Sequence, residues 1–225
     1  MAIGNQVKND LIKAGIGSEA QFHTFFPGLP SPRIASKSDI RAQLGWDHNT
    51  IYCTFVGRLT QIKRPDRLLD VAAALVARGT SLKIMVAGEG ELYEPSVTRA
   101  KRESLPVTFL GWRKDIDALF AASDIAILTS DNEGIPLTLI QAAQAGLPIV
   151  ATDVGSISDI VKNGETGFLT APAPGAMASA LSTLVNDQEL RNRLGQAGKT
   201  RAYEYFSLER MLKDHTDIYQ RAHNN

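Results

Sequence analysis

The stretch EGIPLTLIQ combines residue types that could hold a phosphorylated ligand. Pro136 is placed to start a helix, so the amide groups of Leu137 and Thr138 would lack intrahelical acceptors and would form an anion site with the helix dipole. Gln141 would share a helical face with Thr138 and meet the same ligand one turn deeper. Glu133 could accept hydrogen bonds from ligand hydroxyls beyond the phosphates; taken alone, its alternative is an exposed loop acid.

The segment VGRLTQIKRPDR adds two cations that could face the same ligand. Gly57 would let the backbone turn and approach a ligand closely. Arg58 and Lys63 would suit a diphosphate, because a guanidinium engages two oxygens at once while an ammonium acts as a compact point charge. A solvated basic loop is the alternative interpretation.

Two further segments that follow apolar runs are VAGEGEL and FLGWRKD. The first lacks the third glycine and the following acid of a dinucleotide-binding fingerprint, which favours a tight turn between a strand and a helix. The second places Gly111, Trp112 and Arg113 where a flat base could lie against the turn and bond to its backbone. The alternative is a tryptophan packed on the domain surface.

Six short apolar runs must position these segments, and helical patterns alternate with them. The runs are 51–57, 82–88, 107–111, 124–130, 147–152 and 166–170. Apolar strands without polar alternation are typical of a parallel sheet that is covered on both faces. The sequence therefore predicts an α/β protein, a Rossmann-like doubly wound sheet of about six strands whose ligand lies beyond the strands' carboxyl ends.

Both ends of the chain depart from this alternation. The first fifty residues predict one helix, one short strand and a proline-rich link. From APAPGAMASALSTLV onward the pattern predicts consecutive C-terminal helices that pack across the domain. Between these ends, Ser156 is expected to cap a helix that begins in SISDIVKNG.

Composition excludes several classes of function. The 24 basic and 24 acidic residues cancel, so no overall basic field argues for nucleic acid or an acidic membrane surface. Cys53 is the single cysteine, which excludes an intramolecular disulfide and a cysteine-rich metal site. No apolar run approaches the roughly 18 residues of a membrane span, and we expect a cytoplasmic protein.

The ordered motifs between residues 51 and 219 resemble a known family. VGRLTQIKRPDRLLD, FLGWRKDIDALFAASDIAILTSDNEGIPLTLIQAAQAGLPIVATDVGSISDIVKNGETGFL and the closing helices are similar to the C-terminal, nucleotide-sugar-binding domain of the glycosyltransferase group 1 family. These are retaining enzymes of the GT-B fold, of which this domain is one half. Several motifs occur in the family's order and spacing, which makes the resemblance specific.

The resemblance implies a role for each candidate residue. Arg58 and Lys63 would hold the donor diphosphate and stabilise it as the leaving group, and Glu133 would contact the donor sugar as the first acid of the family's Glu-x7-Glu motif. Trp112 and Arg113 would bind the base, largely through backbone groups. The implied donor-binding residues are Gly57, Trp112, Arg113, Gly134, Ile135, Pro136, Leu137, Thr138 and Gln141.

The sequence departs from the family pattern at Gln141, which stands where the family has the second acid, the acceptor of the ribose hydroxyls. An amide oxygen accepts one hydroxyl but lacks the charge-assisted, two-oxygen acceptance of a carboxylate. We expect weaker donor binding or an altered choice of nucleotide. Ser156 and Asp159 replace a glycine and a glutamate of the family and are milder departures.

The resemblance also implies a domain organisation. GT-B enzymes have two Rossmann-like domains, and the first carries the acceptor site. Residues 1–35 are interpreted as a remnant of the N-terminal domain with the interdomain link, and residues 36–225 as the C-terminal donor-binding domain. A missing N-terminal domain would then supply the acceptor site and any membrane contact.

The expected activity of the full-length protein is transfer of a hexosyl group from a nucleotide diphosphate sugar to a hydroxyl acceptor, with retention. No metal or other cofactor is expected, because Arg58, Lys63 and the helix at Pro136 would stabilise the leaving group. The chain alone should bind donor and turn it over poorly or not at all. The alternatives are a related-fold enzyme, such as a nucleotide-sugar epimerase or a phosphorylase-like protein, and a non-catalytic nucleotide-sugar-binding domain, which Gln141 favours.

Overall fold

The computed structural model describes residues 2–32 and 36–223. The predicted domain boundary at residue 35 falls in the segment 33–35, outside the described residues, and stays a prediction. The strands belong to two sheets, one of two strands and one of six. In chain order they are β1 (Ala2–Ile3), β2 (Thr24–Phe25), β3 (Tyr52–Val56), β4 (Lys83–Ala87), β5 (Val107–Gly111), β6 (Ile125–Leu128), β7 (Ile149–Thr152) and β8 (Gly167–Thr170).

The six-stranded sheet is parallel throughout, with the strand order β5-β4-β3-β6-β7-β8. Every predicted strand is present and lies within its predicted range, so this part of the fold is confirmed. The strand order reverses direction between β3 and β6. Open α/β sheets bind ligands at the carboxyl ends of the strands beside such a reversal.

Ten helices occur in the described part of the chain. They are α1 (Asn5–Lys13), α2 (Lys37–Leu44), α3 (Pro65–Ala77), α4 (Tyr93–Arg102), α5 (Ile116–Ala122), α6 (Leu137–Gln144), α7 (Ile157–Ile160), α8 (Pro174–Asn186), α9 (Gln188–Tyr205) and α10 (Leu208–His223). Pro65 opens α3 at its first position, where the missing amide hydrogen has no intrahelical role. Gly79 follows the end of α3 in the left-handed conformation, as the sequence predicted.

Both faces of the main sheet are buried. Along β4 the side chains alternate between two apolar clusters, since Ile84 and Val86 belong to one while Met85 and Ala87 belong to the other. Helices α3 and α8 contribute to the first cluster, and α2 and α5 to the second. Burial on two faces explains why these strands are apolar at successive positions.

Cys53 lies in β3 and is completely buried. Burial raises the pKa of its thiol far above the ordinary value, and the charge of Asp124 adds to this shift. At neutral pH the thiol is therefore protonated and enclosed, and thiolate is the reactive form. We expect no reaction with a thiol reagent in the folded chain and rapid reaction in denaturant; fast labelling of the folded chain would contradict this burial.

A buried ion pair joins α2 to the start of β6. Arg41, whose side chain is 5% exposed, lies 2.6 Å from Asp124 Oδ2 and also donates to the carbonyl oxygen of Ala122 at 2.8 Å. Asp124 Oδ2 accepts the amide of Tyr52 at 2.7 Å as well, and Lys37 binds the other carboxylate oxygen at 2.6 Å. These groups lie at the amino-terminal ends of the strands, away from the carboxyl edge.

Helix α9 packs closely on the turn that follows α6. A Cβ atom added to Gly195 would lie 2.0 Å from the carbonyl oxygen of Gly146, so only glycine fits at this crossing. We expect Gly195→Ala to lower the free energy of unfolding by about 1–3 kcal/mol, measured by urea denaturation. Gly175→Ala is the matched control, because its Cβ would meet nothing within 4 Å and α8 should gain up to about 1 kcal/mol. Equal effects of the two substitutions would contradict the close crossing.

The first and last segments of the described chain pack against each other. Strands β1 and β2 pair in parallel, with α1 between them in the sequence. The ring centroids of His215 in α10 and Phe25 lie 4.3 Å apart, and the sulfur of Met211 accepts the amide of Gly28. Helices α8 and α9 lie against the main domain as predicted, whereas α10 packs on this N-terminal unit instead. Strand β1 was missed because two residues show no alternation.

Helix α7 is shorter than the sequence pattern indicated. Ser156 lies at its N-cap position as predicted, but its hydroxyl makes no capping bond and has no partner in the described part of the chain. Asp159 of α7 instead accepts two hydrogen bonds from Asn5, from the backbone amide and the side-chain amide, both at 2.8 Å. The N-terminal unit is thereby attached to the main domain.

Candidate functional site

The carboxyl ends of β3, β4 and β5 open onto a cleft of about 470 Å³. Its lining residues are Val56, Gly57, Arg58, Ala87, Gly88, Glu89, Trp112, Arg113 and Ile116. The structure therefore brings together residues that the sequence analysis selected in two separate segments. These are Gly57 and Arg58 of the first segment and Trp112 and Arg113 of the second. Strand β6, which leads to the loop of Glu133, is the neighbour of β3 on the other side.

The two predicted cations differ in their surroundings. The Arg58 side chain is exposed at the cleft and has no ion-pair partner among residues 2–32 and 36–220. Lys63 instead forms a short ion pair with Glu133, whose side chain is 9% exposed. Ser130 donates its hydroxyl to the same Glu133 oxygen at 2.6 Å. Glu133 is thus an ordered carboxylate that is largely buried, so the alternative of an exposed loop acid is wrong.

Arginine side chains of α3 and the preceding turn hold the loop between β6 and Glu133. Arg67 Nη2 lies 2.6 Å from Asp131 Oδ1, and Arg64 Nη1 lies 2.9 Å from Asp131 Oδ2. Hydrogen bonds from Arg64 first, and from Arg67, keep the pKa of Asp131 below its ordinary value. Arg67 also donates to the carbonyl oxygen of Thr129 at 2.6 Å. Sequence patterns did not reveal this network, since it links residues more than sixty positions apart.

The exit of β7 fixes the Glu133 loop from the other side. Gly155 has φ 54°, and a Cβ atom added there would lie 1.9 Å from the carbonyl oxygen of Glu133. That same oxygen accepts the amide of Ser156 at 3.1 Å. The backbone of Glu133 is therefore in direct contact with the β7 exit.

Gly155→Ala should displace the Glu133 loop and lower the free energy of unfolding by about 2–3 kcal/mol. Two costs add together, the strain of alanine in a left-handed backbone conformation and the clash of its Cβ with the Glu133 carbonyl oxygen. Gly164→Ala separates the two causes, since φ is 77° there but its Cβ would meet nothing within 4 Å. That control should cost about 1 kcal/mol. Urea denaturation measures both, and a Gly155 variant no less stable than the Gly164 variant would contradict the contact.

The start of α6 differs by one residue from the prediction. Pro136 has φ −72° and ψ 114°, an extended conformation, so it is the N-cap and the helix begins at Leu137. The predicted anion site does not depend on this difference, because the amides of Leu137 and Thr138 have no backbone acceptor in the described chain, whereas the amide of Leu139 donates to the carbonyl oxygen of Pro136. Leu137 is 47% exposed, so the start of α6 lies at the surface.

The two remaining residues of the turn have different surroundings. A Cβ atom on Gly134 would meet nothing within 4 Å, which leaves its backbone accessible. Ile135 packs against the main apolar cluster and anchors the turn. The turn thus presents backbone groups to the outside while its centre is held by the core.

Gln141 lies one turn into α6, as predicted, and its amide is engaged. Its Nε2 donates to Oδ1 of Asp117 in α5 at 3.3 Å. Asp117 was not singled out from the sequence, because an acid in the first turn of a helix has an ordinary role next to the helix dipole. Only the packing of α5 beside α6 brings the two side chains together.

Trp112 and Arg113 lie at the far side of the cleft. Trp112 is 62% exposed, and Lys114 Nζ lies 5.4 Å from the centroid of its ring. The Trp112 amide donates to Glu89 Oε1 at 3.3 Å, so Glu89 belongs to this part of the cleft. Arg113 pairs with Asp115 at 2.6 Å, which raises the pKa of the guanidinium. The sequence pattern around Glu89 indicated a tight turn and gave no reason to select its side chain.

Membrane-spanning and metal-binding features are both absent from residues 2–32 and 36–223. No helix there combines the length and the apolar character that crossing a membrane requires. No set of three or more His, Cys, Asp or Glu side chains there is arranged to hold a metal ion.

Residues 36–201 match the family model of the glycosyl transferases group 1. The match spans most of the chain and includes every site residue described above. The chain belongs to this family. The resemblance seen in the sequence is thereby confirmed, and the family is one of enzymes.

Among the relatives of this glycosyltransferase domain is D-inositol 3-phosphate glycosyltransferase of Rhodococcus erythropolis, 34% identical over 206 residues. The match covers 84% of the chain and 46% of the relative. A second relative, the putative glycosyltransferase EpsD of Bacillus subtilis, is 30% identical over 183 residues, which are 80% of the chain and 48% of EpsD. The chain thus spans about half the length of the curated relatives it matches.

Solved structures share the fold. HepE of Anabaena, in complex with UDP and glucose, superposes with a TM-score of 0.87 at 24% identity, over 97% of this chain and 62% of HepE. Sucrose-phosphate synthase of Thermosynechococcus elongatus gives a TM-score of 0.87 at 21% identity, over 99% of this chain and 58% of that one. The Rossmann-like half of a GT-B fold is confirmed, and the epimerase and non-catalytic alternatives are not favoured.

Proposed function

We propose that the chain is the donor-binding domain of a retaining hexosyltransferase that uses a nucleotide diphosphate sugar. The supporting observation is that the Arg58 guanidinium and the amides of Leu137 and Thr138, which have no partner among the described residues, lie at the same carboxyl edge of one sheet. Guanidinium and helix-start amides are both groups that bind phosphate. HepE, which shares the fold, was solved in complex with UDP, and UDP is therefore the first nucleotide to test here.

Each group of the site has a part in the proposed reaction. The base lies in the cleft at Trp112, the diphosphate lies between Arg58 and the start of α6, and the sugar meets Glu133. Lys63, already paired with Glu133, can bind a phosphate oxygen and a sugar-contacting carboxylate together. The residue types suit this division, since cations face phosphate and a carboxylate faces hydroxyls.

In the proposed reaction the bond between the sugar's anomeric carbon and the diphosphate oxygen breaks. A bond from the same carbon to the acceptor oxygen forms on the same face, and the acceptor's proton passes to the leaving diphosphate. Arg58, Lys63 and the α6 amides stabilise the charge that develops on that leaving group, and the proposal includes no metal or cofactor. The acceptor site is proposed to lie in a second domain of the full-length transferase, which corresponds to the half of the relatives that this chain does not cover.

A thermal-shift comparison of UDP, GDP and ADP, each at millimolar concentration, tests this function. A nucleotide present at a hundred times its dissociation constant stabilises the folded chain by about 2.7 kcal/mol, a shift of several degrees. We expect a shift with UDP and none with uridine, which lacks the diphosphate. If no nucleoside diphosphate shifts the transition, the chain does not bind donor by itself and the proposal is wrong.

A further inference from the structure

The carboxylate of Asp117 lies at the junction of the two halves of the site. Its neighbour Ile116 lines the cleft beside Trp112, and its Oδ1 accepts a hydrogen bond from Gln141 of α6. A nucleotide whose base occupies the cleft and whose phosphates meet the start of α6 must carry its ribose between these places. Asp117 approaches that position from α5 and Gln141 approaches it from α6.

Asp117 is an acid near the cleft that forms no ion pair in the described part of the chain. Glu89, which lines the cleft, forms none there either, but its carboxylate accepts the amide of Trp112 at 3.3 Å. Asp115 pairs with Arg113, Asp131 pairs with Arg64 and Arg67, and Glu133 pairs with Lys63. In the described chain, Asp117 has no ion pair, and the amide of Gln141 is its one hydrogen-bonding partner. The carboxylate is half-buried and has acceptor capacity left over, which suits a ligand that brings hydroxyl donors.

The side chain at position 141 is matched to this charge. A glutamate there would place a second carboxylate within about one hydrogen-bond length of Asp117, and like charges at that separation repel. Glutamine instead donates a hydrogen bond and so orients the carboxylate. The negative charge of this part of the site comes from α5, not from α6.

We propose that Asp117 accepts the hydroxyl groups of the nucleotide's ribose and that Gln141 positions it. This inference rests on the proposed function, since it assumes that a nucleotide occupies the site. The sequence led us to expect weaker donor binding, because Gln141 stands where the family has its second acid. In this proposal Asp117 of the neighbouring helix α5 supplies that acid instead. Gln141 is then a sign of a relocated carboxylate rather than of a decayed site.

Titration calorimetry with UDP and 2′-deoxy-UDP on the 225-residue chain tests this inference. The chain should bind UDP at least about tenfold more tightly than the deoxy analogue, because a charge-assisted hydrogen bond is lost with the hydroxyl. Asp117→Asn should weaken UDP binding about tenfold and leave the binding of 2′-deoxy-UDP nearly unchanged. The ratio of the two affinities then falls towards one. Asp70→Asn on α3, which removes a partly exposed ion pair with Arg99 of α4, is the control and should keep the ratio of the two affinities.

Position 141 supplies the second half of the test. Gln141→Glu should weaken UDP binding, because two carboxylates then face each other. Adding Asp117→Asn should restore both the UDP affinity and its ratio to the 2′-deoxy-UDP affinity, because one carboxylate is present again. Thermal unfolding confirms that each variant is folded. A ratio unchanged in Asp117→Asn, or a gain of UDP affinity in Gln141→Glu alone, would overturn the inference and leave the proposed function standing. Failure of every nucleoside diphosphate to bind the unmodified chain would overturn the proposed function itself.

Discussion

Replacing Asp124 with alanine should lower the free energy of unfolding by about 3–5 kcal/mol, because it leaves the buried Arg41 guanidinium without a counter-charge. The Arg41 side chain is 5% exposed, so water cannot replace the lost carboxylate. The amide of Tyr52 loses its acceptor in the same substitution. Urea denaturation followed by circular dichroism measures the change.

A surface pair provides the control for this prediction. Asp214→Ala breaks the exposed pair with Arg210, four residues apart on α10, and should cost less than about 1 kcal/mol. In the double variant Arg41→Met/Asp124→Ala, much of the stability should return, since no buried charge is left unpaired. An Asp124 variant as stable as the Asp214 variant would show that the Arg41 ion pair is solvated. Nucleotide affinity below the unfolding transition should be unchanged, because this pair lies at the opposite end of the strands.

Replacing Arg58 with alanine should weaken UDP binding by about 10- to 100-fold. The loss of a charged hydrogen bond to phosphate is worth about 1.5–3 kcal/mol, and 1.4 kcal/mol corresponds to a factor of ten. Arg58 makes no ion pair within the described residues, so the substitution should leave stability nearly unchanged. Titration calorimetry gives the affinity, and thermal unfolding without ligand gives the stability.

Arg102→Ala is the matched control for Arg58→Ala. The Arg102 side chain is 69% exposed at the end of α4, and its substitution removes the same charge away from the cleft. It should reduce UDP affinity less than twofold at physiological salt, because charges beyond a Debye length of about 8 Å are screened. Equal losses in the two variants would mean that overall charge, not the cleft, governs binding.

The fold followed from the sequence because its signals are local. Each of the six strands is a short apolar run between turn residues, and proline and glycine mark both ends of α3. Burial on two faces makes such strands apolar throughout, which a single sequence displays directly. Strand β1 has two residues and depends on its pairing with β2, so no local signal predicted it.

The site could be predicted only in part for the same reason. Arg58, Trp112 and Glu133 follow strands, and the topology brings the carboxyl ends of parallel strands to one edge. The partners of these residues come from distant segments: Glu89 meets Trp112 across 23 positions, and Asp117 meets Gln141 across 24. Such contacts depend on how the helices pack, and sequence spacing does not reveal them.

The measurement that tests the donor-site assignment most directly is a titration of the isotopically labelled chain with UDP, followed by amide and indole chemical shifts. The shifts should concentrate at Arg58, the Trp112 indole and the amides of Leu137 and Thr138. They should be absent from the separate groove between α4 and β5, which Val97 and Phe109 line. Shifts confined to that groove, or none at saturating UDP, would contradict the assignment of the donor site to the carboxyl edge of the sheet.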